Sequence, residues 1–209
     1  MAQCPFLSLD GVDGCGKTTQ CRLLAEWLRS QGRQVVEVAD PGGTAVGQVI
    51  RELLLGHRED IDVYCEALLF MASRAQLLAE AIRPALARGQ VVISDRYLLA
   101  NVVYQGHAGG LDVDELWRIG LWATRGLLPD LTLVLDVPIE HAARRRRGGT
   151  DRLERRGPDF QQRVRAGFLA EAQRRPDSIR VIDATGSVVD VQARIQAEVC
   201  RVLAAGARP

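Results

Sequence analysis

Two patterns of apolar and polar residues alternate along the chain. Five short runs rich in β-branched residues predict strands at 5–10, 34–40, 90–95, 131–136 and 179–184. Between them, apolar residues recur every three or four positions, which predicts helices at about 17–31, 45–56, 62–88, 112–125, 139–146, 159–175 and 188–205. The helix at 62–88 is predicted with or without a break at Pro84. Strands that are apolar throughout are buried on both faces, as in sheets whose parallel strands are joined by helices. The order therefore predicts an α/β fold with a parallel sheet.

Length, charge and cysteine spacing narrow the class of protein. The 209 residues carry 27 basic and 26 acidic side chains, so a formal charge of +1 leaves no basic surplus for a nucleic acid. No apolar run approaches the roughly 18 residues of a membrane span, and the N-terminus lacks the basic region of a secretion signal. The five cysteines never show C-x-x-C spacing. We expect one domain over residues 1–209, cytoplasmic, with no nucleic-acid or membrane partner.

A glycine-rich segment, GVDGCGKTT, lies between the first predicted strand and the first predicted helix. It satisfies the phosphate-loop pattern G-x-x-x-x-G-K-[ST] with Gly11, Gly16, Lys17 and Thr18. In such a loop the backbone N–H groups and the helix N-terminus face the phosphates, the lysine reaches the β and γ oxygens, and the threonine meets Mg²⁺. Lys17 is also the only lysine among the 27 basic residues. We therefore expect ATP at Gly11, Val12, Asp13, Gly14, Cys15, Gly16, Lys17, Thr18 and Thr19.

The sequence excludes one common class of phosphate-loop protein and disfavours a second. A GTP-binding switch protein reads its base with N-K-x-D, which requires a second lysine. A motor or transporter ATPase has Asp-Glu at the end of an apolar strand, whereas the predicted strands here end VVISDR, LTLVLDV and VVEVADP. Without that glutamate to activate water, transfer of the phosphoryl group to a bound acceptor is favoured over hydrolysis of ATP. In parallel sheets the ligand binds beyond the carboxyl ends of the strands, where these aspartates lie.

Phe70 and Arg74 lie one turn apart on the apolar face of the predicted helix at 62–88. A buried arginine needs a partner, and no acidic residue lies one turn away on that face. We therefore expect a bound anion, the acceptor phosphate, to pair with Arg74 while Phe70 stacks on a ring. The alternative, in which Phe70 is a core residue and Arg74 reaches solvent, stays open from this segment alone.

The segment VVISDRYLLANVVYQG adds a second group of polar residues. At the strand end, Asp95 is expected to orient the Mg²⁺ shell, directly or through water, and Arg96 to hold an acceptor phosphate. Asn101 is expected to bond a base edge, with Tyr104 beside the sugar. The alternative, that Asn101 and Tyr104 are ordinary helix residues with no ligand, stays open from their spacing.

Taken together and in order, these motifs resemble those of thymidylate kinases, which make dTDP from dTMP and ATP. The matching segments are DGVDGCGKTTQ, DPGGT, LLFMASRAQL, DRYLLANVVYQG, PDLTLVLDV and RGGTDRLE, over about residues 5–185. The resemblance implies the fold of a P-loop nucleoside monophosphate kinase, a five-stranded parallel sheet with helices on both faces and a lid over ATP. It also implies Mg²⁺ as cofactor, ATP as phosphoryl donor and a homodimer.

The resemblance assigns roles to individual residues. Phe70 would stack on thymine, Arg74 and Arg96 would hold the dTMP phosphate, and Asn101 and Tyr104 would contact base and deoxyribose. The implied acceptor site is Asp13, Pro41, Phe70, Arg74, Arg96, Asn101, Tyr104 and Gln105, and the implied metal site is Thr18 and Asp95. The chain departs from the family at Ala39 and Asp40, where Arg-Glu is usual, and at Asp10, where glutamate is usual. The shorter carboxylates are expected to alter the geometry around acceptor and metal.

An arginine-rich stretch, HAARRRRGGTDRLERRG at 141–157, separates two predicted helices, and its glycines favour a lid at about 144–158. Transfer between two phosphates gathers negative charge that Lys17 alone cannot balance, and the phosphate loop holds no other cation. We expect the lid to supply the catalytic cation, as the bacterial type of the family implies, from Arg145, Arg147 or Arg152. A nucleic-acid contact and a solvated charge run remain alternatives for this stretch.

The leading hypothesis is phosphoryl transfer from ATP to dTMP, with Lys17, Asp13, Arg96 and the lid arginines as the catalytic groups. A kinase for another nucleoside monophosphate or for a deoxynucleoside is the second hypothesis. An ATP-dependent nucleic-acid-binding protein is the third, from a different class.

Overall fold

The computed structural model describes residues 4–56, 60–145 and 156–204. Its centre is one sheet of five parallel strands in the order β2-β3-β1-β4-β5. The strands are β1 (Phe6–Asp10), β2 (Val35–Ala39), β3 (Val91–Asp95), β4 (Leu131–Asp136) and β5 (Ile179–Asp183). Each strand begins and ends within one residue of a predicted run, so the predicted parallel sheet is confirmed.

Helices cover both faces of this sheet. They are α1 (Lys17–Ser30), α2 (Ala45–Leu55), α3 (Val63–Leu77), π1 (Leu78–Ile82), α4 (Arg83–Ala87), α5 (Leu98–Asn101), π2 (Val102–His107), α6 (Val113–Ala123), α7 (Ile139–Arg145), α8 (Pro158–Arg174) and α9 (Val188–Ala204). Helices α1 and α9 pack together on one face, and α4 and α8 pack on the other. Within the described residues, no helix combines the length and apolar character needed to cross a lipid bilayer.

Two helical segments differ from the sequence prediction. The helix predicted over 62–88, with or without a break at Pro84, is three consecutive segments, because Leu78–Ile82 winds as a π-helix and α4 then begins at Arg83, beside that proline. No helix is predicted at 98–107, yet α5 and π2 occupy it. Nearly every residue of that segment is buried. A segment buried on all sides lacks the apolar periodicity that predicts a helix from sequence.

The sheet brings the carboxyl ends of β1, β2 and β3 side by side. Leu9 of β1 lies opposite Asp95 of β3, and Ala39 of β2 lies opposite the same aspartate. The aspartates that follow or end these strands, Asp10, Asp40 and Asp95, therefore share one edge. This is the edge at which parallel α/β sheets bind ligands.

Candidate active site

The glycine-rich segment forms a tight loop between β1 and α1. Gly11, Gly14 and Gly16 have φ of 136°, 87° and 102°, a region that favours glycine. A Cβ on Gly11 would lie 2.6 Å from the carbonyl oxygen of Leu135, so the loop has no room for a side chain there. The loop thus leaves its N–H groups and the N-terminus of α1 available to an anion.

Lys17 is the first residue of α1, and its side chain bends back over the loop. Its Nζ donates to the carbonyl oxygens of Gly11 and Val12, at 3.1 and 2.9 Å, and the residue is almost fully buried. The Sγ of Cys15 lies 3.7 Å from the same Nζ. Burial raises the pKa of the Cys15 thiol, so this cysteine is a small neutral packing residue rather than a thiolate.

Thr18 and Asp95 meet at the mouth of the loop. The Thr18 hydroxyl donates to Asp95 Oδ2 at 2.6 Å. A hydroxyl and a carboxylate supply the hard oxygen atoms that Mg²⁺ prefers, so this pair fits a magnesium ion. Among the described residues there is no cluster of three or more His, Cys, Asp or Glu side chains suited to a metal. Further ligands at this pair would therefore be phosphate oxygens or water.

Asp13, Arg96 and Tyr104 form a hydrogen-bonded group facing the loop. Arg96 Nη2 donates to Asp13 Oδ1, and Arg96 Nη1 donates to the Gly11 carbonyl oxygen at 3.0 Å. The Tyr104 hydroxyl donates to Asp13 Oδ2 at 3.0 Å. Burial acts to raise the pKa of Asp13, but the charges of Arg96 and Lys17 outweigh it and hold that pKa well below its usual range. Asp13 is therefore an anion that orients Arg96.

The backbone of Arg96 is in the left-handed region, with φ of 69°. Such a conformation is uncommon for a residue with a side chain and persists only when surrounding contacts impose it. Here the Ser94 hydroxyl donates to the Arg96 carbonyl oxygen at 2.5 Å, while the Arg96 N–H donates to the carbonyl oxygen of Leu9. These contacts turn the Arg96 guanidinium toward the phosphate loop.

Asp10 is fully buried at the end of β1, beneath the loop. Its Oδ2 accepts from the Ser8 hydroxyl at 2.7 Å, while no described residue donates to its Oδ1. Burial raises the pKa of Asp10 to about 6, and the nearby charges of Arg96 and Lys17 only partly offset this.

Arg74 is 1% exposed and is paired within the protein. Its Nε donates to Asp40 Oδ2 at 2.5 Å, its Nη1 to Asn101 Oδ1 at 3.0 Å and its Nη2 to the Tyr97 carbonyl oxygen at 3.4 Å. The premise that Arg74 lacks a partner within the protein is therefore wrong, and so is the alternative that Arg74 reaches solvent, while a contact between Arg74 and the acceptor stays a prediction. The partner, Asp40, follows β2 and lies 34 residues away in the sequence. A search for acidic residues one turn away on the same helix therefore cannot identify it.

Asn101, Tyr104 and Gln105 are buried in α5 and π2 and face the same cavity as Phe70. Asn101 Nδ2 donates to Gln105 Oε1 at 2.7 Å, and Gln105 Nε2 donates to Glu66 Oε1 at 2.6 Å. The alternative that Asn101 and Tyr104 are ordinary helix residues does not account for their burial beside this cavity. The wider turn of π2 is a feature often found at functional sites.

One cavity of about 1090 Å³ joins these groups. Its lining includes Lys17 and Thr18 at the phosphate loop, and Phe70 and Asn101 at the far side. Pro41, Arg51, Arg96, Tyr104, Gln105, Arg145 and Gly157 also line it. A cavity of this size holds more than one small ligand.

Comparison with known proteins agrees with this geometry. The family described as thymidylate kinase matches residues 9–195. A thymidylate kinase of Bifidobacterium longum strain DJO10A is 48% identical over 198 residues, 93% of this chain and 96% of that protein. One from Rhodopirellula baltica is 46% identical, over 92% of this chain and 78% of that protein. The crystal structure of thymidylate kinase from Ehrlichia chaffeensis superposes with a TM-score of 0.77 at 28% identity, covering 94% of this chain and 99% of that one.

The chain belongs to the thymidylate kinase family. The resemblance inferred from the motifs is thereby confirmed, as is the predicted nucleoside monophosphate kinase fold. In this thymidylate kinase family member, the usual Arg-Glu before Pro-Gly-Gly is Ala39 and Asp40. The Asp40 carboxylate bonds Arg74 through one oxygen, and no described residue donates to the other.

The range predicted as a lid, about 144–158, falls partly outside the described residues. Arg147 and Arg152 lie there. Arg145 ends α7, lines the cavity, and donates through Nη1 to the Ala184 carbonyl oxygen at 2.9 Å and through Nη2 to that of Thr185 at 3.4 Å. At the two ends of the predicted lid range, residues 144–145 belong to α7 and Pro158 begins α8. Proline is common at a first helical position, where its missing N–H costs nothing.

Sequence reasoning missed three polar residues of this site. Glu66 is fully buried, and its Oε2 accepts from Arg156 Nη2 at 2.8 Å. Arg51 lines the cavity and donates to the Pro41 carbonyl oxygen at 2.8 Å. No local signal marks these residues, since a charged side chain in a helix or a loop is most often exposed to solvent. Only the packing of α2, α3 and the segment before α8 around the cavity distinguishes them.

Proposed function

We propose that this chain transfers the γ-phosphoryl group of ATP to dTMP, giving dTDP and ADP. The observation that carries the proposal is one cavity, in a thymidylate kinase family member, with a phosphate loop at one end and a buried aromatic and amide pocket at the other. Such a cavity holds a donor and an acceptor nucleotide end to end, which is what direct transfer requires. We propose that residues 1–209 form one catalytic domain.

The donor side binds ATP at Gly11 to Thr19. The loop N–H groups and the α1 N-terminus hold the phosphates, and Lys17 turns from the loop carbonyls to the β and γ oxygens. Thr18 and Asp95 would hold Mg²⁺, Asp95 directly or through water, and the ion when bound would neutralise charge on the β- and γ-phosphates. The chain's own contribution here is to fix the position of the phosphates.

On the acceptor side, Phe70 stacks on thymine and Asn101 bonds its edge, with Tyr104 and Pro41 beside the nucleotide. The acceptor phosphate goes to Arg96, because Arg96 contacts the phosphate loop directly and Asp13 orients it. Arg74 is held between Asp40 and Asn101, which supports a place for it at the base end of the pocket rather than at the phosphate.

The lid completes the charge balance. Arg145, Arg147 and Arg152 are the proposed source of a cation that stabilises the negative charge gathered during transfer. Its closure also removes water from the cavity, so that transfer to dTMP outcompetes hydrolysis. We further propose a cytoplasmic location, from the cysteine spacing.

A coupled assay of ADP release with a panel of acceptors tests the substrate. We expect the highest kcat/KM with dTMP, and a much lower value with AMP, because AMP carries a larger base and a 2′-hydroxyl. Activity with AMP or shikimate but none with dTMP would contradict the proposal. Binding to DNA that is tight at low salt and weakens steeply as salt rises would instead favour the nucleic-acid hypothesis.

A homodimer is proposed from an exposed apolar face on three neighbouring helices. Its members are Val46, Val49 and Leu53 of α2, Tyr64 and Leu68 of α3, and Trp122 of α6. Helix α3 packs against both α2 and α6, so these side chains belong to one side of the molecule. Large exposed apolar patches mark interaction surfaces, and a twofold axis lets one patch cover its own copy.

We expect Leu68→Arg to shift the protein from dimer to monomer in sedimentation velocity, because the substitution would bury a charge without a counter-charge in an apolar interface. Arg22→Ala, at an exposed ion pair on α1, is the control and should sediment as the unaltered protein does. A monomeric unaltered protein at micromolar concentration would exclude the dimer.

A further inference from the structure

A buried carboxylate in α8, that of Glu171, joins this helix to two neighbouring segments. The side chain is fully buried, and its Oε1 lies 3.0 Å from His107 Nε2. The same oxygen accepts from Arg174 Nη1 at 3.0 Å, while Oε2 accepts from Trp117 Nε1 at 2.8 Å. His107 is the last residue of π2 and Trp117 belongs to α6, so one carboxylate links α8 to both.

The charge of Glu171 decides how the contact with His107 works. Burial acts to raise the pKa of Glu171, but hydrogen bonds from His107 and Trp117 and the charge of Arg174 outweigh it and lower that pKa. The carboxylate therefore stays ionised at neutral pH. A carboxylate can only accept, so His107 Nε2 carries a proton and donates it to this bond. Hydrogen bonds to an ionised partner are stronger than those between neutral groups.

Helix α8 holds the C-terminal end of π2 along one face. Arg163, Gly167 and Glu171 are spaced four residues apart and so share that face. Arg163 Nε donates to the Ala108 carbonyl oxygen at 3.3 Å, directly after π2. A Cβ on Gly167 would lie 2.7 Å from the Cβ of His107, so the glycine allows the two helices to approach closely. Three consecutive turns of α8 thus hold the same end of π2.

The winding of π2 depends on such contacts. A π-helix is rare and occurs mostly as a single wide turn within an α-helix. Here the Ala108 N–H donates to the Val103 carbonyl oxygen at 2.9 Å, five residues back, which closes the wide turn. An α turn would place the same residues at different angles around the axis. If the winding changed, His107 and Tyr104 could therefore not both keep their present partners.

Tyr104 extends this constraint to the cavity. Its hydroxyl donates to Asp13 Oδ2 at 3.0 Å and accepts from Arg96 Nη2 at 3.2 Å, and its ring centre lies 5.0 Å from the Arg96 guanidinium. Arg96 is the group to which the proposed function assigns the acceptor phosphate. His107 and Glu171 themselves lie outside the lining of the cavity. Any effect they have on transfer must therefore pass through π2.

We propose that His107 is a positioning residue for phosphoryl transfer: its bond to Glu171 seats π2 on α8 and so holds Tyr104 against Asp13 and Arg96. This inference rests on the proposed function, since it assumes that the acceptor phosphate binds at Arg96. It gives His107 a part in the reaction without a contact to either nucleotide.

The test is His107→Phe, which keeps a ring at this position but removes the donor to Glu171. We expect kcat with dTMP to fall by about tenfold or more, because a small displacement of a positioning group is costly to the rate. The KM for ATP should stay within about twofold, since Lys17 and the phosphate loop belong to α1 and the end of β1. Hydrogen exchange at the Ala108 amide should become faster, because that amide closes the turn of π2.

Trp117→Phe is the matched control. It removes another donor from the same carboxylate, but from α6, and leaves the bond from His107 in place. We expect it to lower Tm at least as much as His107→Phe does, with kcat and Ala108 exchange unaltered at a temperature where both proteins are folded. A merely structural role for His107 would lower Tm in both variants and leave both kcat values unaltered. That result, or an equal fall of kcat in the two variants, would overturn the inference.

His107→Gln is the conservative variant, since glutamine has similar reach and an N–H donor at its end. It should restore kcat to within about threefold of the unaltered enzyme.

Gly167→Ala gives a second route if His107→Phe does not fold, as judged by circular dichroism. Its Cβ would displace His107, so the same fall in kcat is expected, and an unaltered kcat would also overturn the inference. Failure of the proposed function is a separate result, since the unaltered protein would then not phosphorylate dTMP. Exchange at the Ala108 amide would still show whether His107 holds π2.

Discussion

Lys17→Ala is expected to lower kcat by about 10²- to 10³-fold, the typical cost of removing one preorganised charge from a transfer site. The side chain lies over the loop and donates to the carbonyl oxygens of Gly11 and Val12, so its charge is already at the place where the phosphates bind. Steady-state ADP release with saturating ATP and dTMP measures the change. The fold should persist, because both of these partners of Lys17 Nζ belong to the loop itself.

Lys17→Arg distinguishes charge from shape at the same position. A planar guanidinium spreads its charge and cannot replace a compact ammonium within this loop, so we expect that variant to be impaired as well. Arg22→Ala on the outer face of α1 is the control and should turn over like the unaltered enzyme. Lys17→Ala with an undiminished rate would contradict the proposed mechanism.

Asp40→Ala is expected to destabilise the protein by about 3–5 kcal/mol, because it leaves the buried Arg74 guanidinium without its counter-charge. For a protein of this size that corresponds to a Tm lower by about 10 °C. Burial raises the pKa of Asp40 even though Arg74 opposes this, so the carboxylate depends on the pair as much as Arg74 does. Calorimetry of the two proteins at neutral pH measures the difference.

An exposed ion pair provides the comparison for Asp40→Ala. Glu115 accepts from Arg118 on the outer side of α6, where water surrounds both side chains. Glu115→Ala should leave Tm nearly unchanged, because exposed pairs contribute little to stability. Equal Tm values for Asp40→Ala and Glu115→Ala would show that the buried pair is not the source of stability that its geometry indicates.

The phosphate loop and the five strands could be predicted from the sequence because their signals are local. Glycines at fixed spacing before Lys17 specify a loop whatever packs around it, and a run such as LTLVLD at 131–136 is apolar enough to be a buried strand in any parallel sheet. The same holds for Arg96, which directly follows a strand end. Motif order along the chain was sufficient to identify the family, and the comparisons agree.

The polar contacts of the acceptor pocket could not be predicted, because their partners are far apart in the chain. Arg74 looked unpaired on its helix, yet Asp40 reaches it from the end of β2. Glu66 was assigned no role from the sequence, yet Gln105 and Arg156 meet it from two other segments. The almost fully buried segment at 98–107 likewise has no polar face by which a sequence pattern could reveal a helix.

The sequence by itself therefore determined the parallel α/β fold, the phosphate loop and the kinase family, since each depends on residues close together in the chain. The tertiary structure alone decided which groups neutralise the buried charges and how the amides of the acceptor pocket point. The physical reason is that a hydrogen bond or an ion pair depends on distances of about 3 Å between atoms. Spacing along a single helix or strand does not determine such distances between segments.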